Sequence, residues 1–199
     1  MLETVLDQPT VISYFDLHAH AWDCHGKTHS PKLETIFNFA KIDSGCHVLD
    51  VACGSGVLFP KYCERDVSSV TGVDISPRMI AHARAQHHDG RIKLIAADIE
   101  RFSSDRQFDR VMVFNALPHF QDSRRLVKYL ASLTEPGGRL TIAHDISRER
   151  LNALHSEKAG KVSMALIPAE ELSTYLEPFY TVDVIVSNEN MYVVSGVKL

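Results

Sequence analysis

Three carboxylates recur at successive positions where apolar runs end: Asp50 closes Val48–Val51, Asp74 closes the run from Val67, and Asp98 follows Arg91–Ala97. Asp74 also lies twenty residues beyond Gly54. A carboxylate at that distance from a glycine turn can accept hydrogen bonds from both hydroxyls of a ribose, and the next strand end outward suits the exocyclic amine of an adenine. Any one of these aspartates by itself reads as a turn or cap residue. Three in succession point to a ligand. Gly54 and Gly56, in Ala52-Cys-Gly-Ser-Gly56, let the backbone turn sharply and approach that ligand closely. The natural occupant is nucleotide-like.

The second set of reactive side chains is imidazole, of which the chain has 11. His119 follows the apolar run Phe108–Phe114 by a few residues, and His144 ends the run from Arg139. Adjacent strand ends place both on the rim that holds the cofactor, where an imidazole can remove a proton or orient a reacting group. His155 lies on an expected helix after Ser147, with Arg148 and Leu151 on its face. At ~1.5 Å per residue it is about 12 Å from the helix start, so it reaches the cleft only if that helix crosses the opening. His18, His20, Cys24, His25 and His29 crowd beside Trp22 and Asp23. With residues 1–30 folded over the cleft as a lid, His29 could meet His119, His144 and His155 in a pocket for a divalent metal or a thiol-type acceptor. The spacing matches no established zinc motif, and the simpler reading is a set of polar lid and rim histidines; the metal assignment stays open. His82, His87 and His88 read as solvated surface.

These residues need a scaffold that brings strand ends together. Val11 to Trp22 suits a helix, followed by a loop to Ser30; Ser30-Pro31 caps a helix carrying Leu33, Ile36, Phe37 and Ala40. After the first strand a helix is expected from Val57 to about Arg65, with Pro60 among the first four donors. Strands Val67–Asp74, Arg91–Ala97, Phe108–Phe114 and Arg139–Asp145 then alternate with helices over 77–86 and 122–133, and Ser76-Pro77 repeats the cap signal. That rhythm specifies an α/β fold, a parallel sheet with helices on both faces. The runs Thr181–Val186 and Met191–Val197, joined by four residues, can pair only as antiparallel neighbours.

A chain of 199 residues suits one domain, and a net charge of −4 without a basic run disfavours nucleic acid and acidic membrane surfaces. The absence of a long apolar run or a basic, apolar start suggests a cytoplasmic protein without a membrane span. Cys24, Cys46, Cys53 and Cys63 form no Cys-x-x-Cys pair and read as structural thiols.

Two nucleoside cofactors compete, a nicotinamide dinucleotide and S-adenosylmethionine. The dinucleotide fingerprint asks for a small third residue where this chain has Phe59, and little chain is left for a substrate domain. The motifs Val48-Leu-Asp-Val-Ala-Cys-Gly-Ser-Gly56, Gly72-Val-Asp-Ile-Ser-Pro-Arg-Met79, Ala97-Asp98-Ile99, Asn115-Ala-Leu-Pro-His119 and Glu135-Pro-Gly-Gly-Arg-Leu140 resemble a class I S-adenosylmethionine-dependent methyltransferase of the small bacterial methyltransferase-domain type, over roughly residues 35–199. The resemblance implies a Rossmann-like seven-stranded sheet of order 3-2-1-4-5-7-6 with strand 7 antiparallel. It places the methionine end of the cofactor against Ala52, Gly54 and Asn115 with Asp50 nearby, the ribose on Asp74, the adenine amine on Asp98, and the adenine faces between Ile75 and Ile99, with Met79 a further apolar contact. Ala52 stands where the family most often has glycine. The expected activity is methyl transfer to a small-molecule acceptor at O, N or S, with His119 and His144 as catalytic candidates. A non-catalytic S-adenosylmethionine-binding sensor or scaffold is the alternative, and a nicotinamide oxidoreductase the third reading. Asn115-Ala-Leu-Pro118 lacks the adjacent prolines and aromatic of base-amino methyltransferases, which with the acidic charge argues against nucleic acid.

Overall fold

A computed structural model describes residues 6–19, 31–158 and 162–199. Seven strands form one sheet of order β3-β2-β1-β4-β5-β7-β6: β1 His47–Val51, β2 Ser69–Asp74, β3 Ile92–Ala96, β4 Phe108–Phe114, β5 Thr134–His144, β6 Tyr180–Ser187 and β7 Tyr192–Lys198. The first five are parallel, and β7 runs antiparallel to both β5 and β6. The order and the terminal hairpin are those expected.

Both faces of the sheet are buried because successive strand residues point to opposite sides. Leu49, Val51, Val111, Val113 and Ile142 pack with Leu126, Val127 and Leu130 of α5 (Ser123–Leu133) and Leu172 and Leu176 of α7 (Ala169–Leu176). Val48, Val70, Met112 and Val193 pack on the other side with Leu33, Ile36 and Phe37 of α2 (Pro31–Ala40), Tyr62 of α3 (Phe59–Glu64) and Ile80 of α4 (Pro77–Gln86). Among the described residues no helix is long and apolar enough to cross a membrane.

Local differences from expectation have local causes. The N-terminal helix α1 spans Gln8–His18, starting three residues before the expected Val11, because Asp7 caps it by accepting from the Thr10 N–H at 3.0 Å and Pro9 sits in its first turn. Residues 20–30, where a helix end and loop were expected, lie outside the described residues. Helix α3 starts at Phe59, two residues later than expected. Strand β5 starts at Thr134, five residues before the expected Arg139, and so takes in Glu135–Gly138. A register irregularity between Phe108 and Arg110 on β4 accommodates it.

Candidate functional site

The strand order reverses between β1 and β4, the position at which open α/β sheets bind ligands beyond the strand carboxyl ends. A cavity of about 880 Å³ opens there, lined by Asp50, Ala52, Gly54, Asp74, Ile75, Met79, Asp98, Ile99, Asn115 and His119 together with residues of α1. Ten of the twelve side chains singled out from sequence therefore share one cavity. The backbone is unusual on both sides of the crevice: Ala52 (φ 55°) after β1 and Asn115 (φ 53°) after β4 are both left-handed. Asn115 is held by reciprocal hydrogen bonds with Asp145, its Nδ2 donating to Oδ1 at 3.0 Å and the Asp145 N–H donating to its Oδ1 at 3.2 Å.

Asp74 is buried and organises the turn. One carboxylate oxygen accepts the Gly54 N–H and the other the Ser76 N–H, both at 2.8 Å. Ser76 in turn caps α4 by accepting from the Met79 N–H at 3.1 Å. Each Asp74 oxygen keeps a second lone pair, the acceptor capacity two ribose hydroxyls need. Burial raises the Asp74 pKa above the usual carboxylate range, against the two backbone hydrogen bonds. Asp50 is raised well above that range by its complete burial and then by the charge of Asp74. Asp98 caps the short turn Ile99–Arg101 through the Glu100 N–H at 3.0 Å, and its Oδ2 accepts from Gln8 Nε2 at 2.9 Å.

The two glycines differ. At Gly54 (φ 54°) an added Cβ would meet nothing within 4 Å, so its open face is the cradle a ligand would fill. At Gly56 (φ 87°) a Cβ would stand 2.3 Å from Phe59 Cδ2 and 2.8 Å from His87 Nε2. Gly56 does not line the cavity; it makes room for Phe59. His87, expected on solvated surface, bonds the Ser55 carbonyl at 3.1 Å and packs edge-on against Phe59, tying α4 to the turn.

Helix α1 forms one wall. Leu6, Gln8, Val11 and Phe15 line the cavity, and Asp16 accepts hydrogen bonds from Ser76 Oγ and the Arg78 N–H at the head of α4. Gln8 and Phe15 were not anticipated, although Asp7 and Pro9 signal where their helix begins. Phe15 meets His119 edge-to-face at 4.9 Å.

The histidines divide. His119 lines the cavity, and its Nδ1 donates to the Val162 carbonyl at 2.8 Å. A carbonyl only accepts, so the proton sits on Nδ1 and Nε2 keeps its lone pair. Burial pushes the His119 pKa down to about 4. His144 is not on the rim: it is fully buried at the end of β5, against Tyr192, and absent from the cavity lining. Burial, then the neighbouring His119 and His155, push its pKa down to about 3. His155, on α6 (Arg148–Lys158), does meet His119, with ring centroids 5.6 Å apart. His20, Cys24, His25 and His29 lie outside the described residues.

Fold and cavity define a Rossmann-like α/β protein with a cleft at the reversal of strand order. The family description Methyltransferase domain matches residues 48–138. The ubiquinone biosynthesis O-methyltransferase of Coxiella burnetii is 32% identical over 146 residues, 69% of this chain and 62% of that protein. The malonyl-[acyl-carrier protein] O-methyltransferase of Priestia megaterium is 26% identical over 130 residues, 63% of this chain and 47% of that protein. This chain thus spans less than two thirds of the length of either curated relative. The N-methyltransferase NodS of Bradyrhizobium japonicum, solved with S-adenosyl-L-homocysteine, shares the fold with a TM-score of 0.70 at 19% identity, over 94% of this chain and 98% of that one. Over this domain the chain is similar in sequence to S-adenosylmethionine-dependent methyltransferases and shares their fold. S-adenosylmethionine is the cofactor of that family, and the open face of Gly54 beside the spare acceptor capacity of Asp74 fits it.

Proposed function

We propose that this protein transfers a methyl group from S-adenosylmethionine to a small-molecule acceptor. The observation that carries the reading is that one cavity contains both the nucleoside-type carboxylates Asp74 and Asp98 and the lone pair-bearing ring of His119. Asp74 would take the ribose hydroxyls, Asp98 the adenine amine, and Ile75 and Ile99 the adenine faces, with Met79 beneath. Ala52, Gly54 and Asn115 offer backbone to the methionine end, beside Asp50. The bound cofactor would supply an electrophilic methyl carbon for the acceptor's lone pair, with the carbon–sulfur electron pair returning to sulfur.

The protein's part is to orient the acceptor. Helix α1 serves as a lid, and Phe15 brings it against His119. With its pKa near 4, His119 is neutral at pH 7, and placing a proton on it costs about 3 kcal/mol more than on an ordinary imidazole. The ring therefore orients the acceptor as a hydrogen-bond acceptor, and the displaced proton leaves to water. The two curated relatives are O-methyltransferases by name, which supports oxygen as the accepting atom. The free thiols Cys46, Cys53 and Cys63 fit a reducing, cytoplasmic setting.

Calorimetry with S-adenosylhomocysteine and with NAD tests the cofactor: the first should bind and the second should not. A mass-spectrometric screen of a metabolite extract for products that gain a methyl group tests the transfer. Binding without any methylated product would move the assignment to a sensor or scaffold. On the acceptor found, His119→Ala should lower kcat with little change in S-adenosylhomocysteine affinity; equal turnover would remove His119 from the reaction.

A further inference from the structure

The carboxyl ends of five adjacent strands follow one another along the cleft: Asp98 after β3, Asp74 on β2, Ala52 after β1, Asn115 after β4 and Asp145 after β5. All five residues line the same cavity. Neighbouring strands stand about 4.8 Å apart, so each residue marks one step along it. The first four steps are those assigned to the adenine, the ribose and the methionine end. Asp145 is the next step in the same direction, on the side where an acceptor must approach the methyl group, and no cofactor contact uses it.

The Asp145 main chain is fixed, while its carboxylate is only half engaged. Oδ1 accepts from Asn115 Nδ2 at 3.0 Å, the N–H donates to Asn115 Oδ1 at 3.2 Å, and the carbonyl accepts from Lys32 Nζ of α2 at 3.1 Å. Oδ2 forms no hydrogen bond to any described residue. The side chain is half-buried, so a proton that reaches it has a path to water. His119 brings a lone pair to the same cavity, but its burial makes a cation there unfavourable. A proton on Asp145 removes a charge instead of creating one.

We propose that Asp145 is a catalytic residue that takes the proton of a neutral hydroxyl acceptor as its oxygen is methylated. The role rests on the methyl-transfer reading. The acceptor oxygen bonds to the methyl carbon as the carbon–sulfur electron pair goes to sulfur. Its O–H bond breaks, the electron pair of that bond stays on oxygen, and the proton passes to Oδ2 of Asp145 and then to water. An oxygen gaining a third bond becomes strongly acidic, so a carboxylate is base enough at that moment. Positive charge also moves from sulfur towards the acceptor in this step, and a carboxylate placed there favours the movement more than a neutral ring does. His119 orients the acceptor and Asp145 supplies the base. A carboxylate acceptor would bring a like charge to Asp145 and have no proton to give.

The test presents one metabolite extract, with S-adenosylmethionine, to wild type, Asp145→Asn and Asp145→Ala, and times the product that wild type forms. Asp145→Asn keeps an oxygen to accept from Asn115 and loses the base. It should slow that product at least about a hundredfold, with S-adenosylhomocysteine affinity within about twofold and an unchanged thermal melt. Asp145→Ala should be slowed likewise and regain rate as sodium formate is added, because that small carboxylate fits the space left; Asp145→Asn, whose amide fills the space, should not respond. Should Asp145→Asn fail to fold, the formate response of folded Asp145→Ala decides, and its absence overturns the proposal. Undiminished turnover in folded Asp145→Asn overturns it too. So does a loss of S-adenosylhomocysteine affinity of about tenfold or more, which would make Asp145 a contact of the cofactor's ammonium group, or a methyl ester as the wild-type product. No product from wild type removes the methyl-transfer reading itself, and the role of Asp145 with it.

Discussion

The side-chain amide of Gln8 donates to Oδ2 of Asp98 at 2.9 Å, fastening the first turn of α1 to the carboxylate assigned to the adenine amine. Both Asp98 oxygens already accept one hydrogen bond, from Gln8 and from the Glu100 N–H, and each retains a lone pair. The lid contact and the nucleoside contact can therefore coexist on one side chain.

This coexistence separates two variants. Asp98→Ala removes the contact proposed for the adenine amine and should weaken S-adenosylhomocysteine about tenfold, or about 1.4 kcal/mol. Gln8→Ala loosens only the lid, so the association and dissociation rates should rise together and leave affinity within about twofold. Stopped-flow binding reads both. A loss for Gln8→Ala equal to that for Asp98→Ala would make Gln8 a ligand contact and not a latch.

Gly54 and Gly56 give a second contrast within one turn. Gly54→Ala places a methyl group in open cavity, so it should cost about tenfold or more in S-adenosylhomocysteine affinity, with only about 1 kcal/mol of stability lost to its positive φ. Gly56→Ala drives a methyl group into the Phe59 ring and should cost about 2–4 kcal/mol of stability. Urea midpoints alongside calorimetry check the pair. Equal destabilisation of both would mean that Gly54 also serves packing.

The elements that proved legible in sequence are those whose signals are local. Ser76-Pro77 marks the head of α4 by its cap, and Asp74 and Asp98 mark strand ends by following apolar runs. What escaped depends on partners distant in sequence. Gly56 reads as a ligand glycine until Phe59 and His87 are seen to need its space. His144 is the last residue of β5 and is buried, whereas His119 sits in the short turn Leu117–His119 beyond β4 and reaches the cavity, a difference that the apolar runs do not carry. Gln8 gained meaning only when α1 met Asp98, ninety positions away.

Ala52 occupies a left-handed conformation, φ 55°, in which a Cβ is unfavourable. Glycine removes the strain, which is about 1–2 kcal/mol, while raising unfolded-state entropy by a smaller amount. Ala52→Gly should therefore stabilise the protein by about 0.5–1 kcal/mol. A higher urea midpoint at unchanged slope is the expected result; a lower one would show that the Ala52 methyl makes compensating contacts in the cavity wall.

Arg139 is buried in the sheet and grips Asp183 with two parallel hydrogen bonds, at 2.7 and 2.6 Å, while also donating to Ser195 Oγ at 3.0 Å. The guanidinium lowers the Asp183 pKa below its ordinary value. The folded value lies below the unfolded one, so the pair's contribution is fully present above the unfolded aspartate pKa, about 3.9, and is lost as pH falls through the folded value. Asp183 is partly exposed, which weakens the charge attraction, but Asp183→Asn leaves a buried cation with only neutral partners and should cost about 2 kcal/mol at neutral pH. The stability gap between wild type and Asp183→Asn should stay constant from about pH 8 to about pH 5 and close below about pH 4. Urea melts across that range measure it. A gap that persisted undiminished in acid would mean that the variant acts through the shape of the β6–β7 hairpin and not through the charge on Asp183.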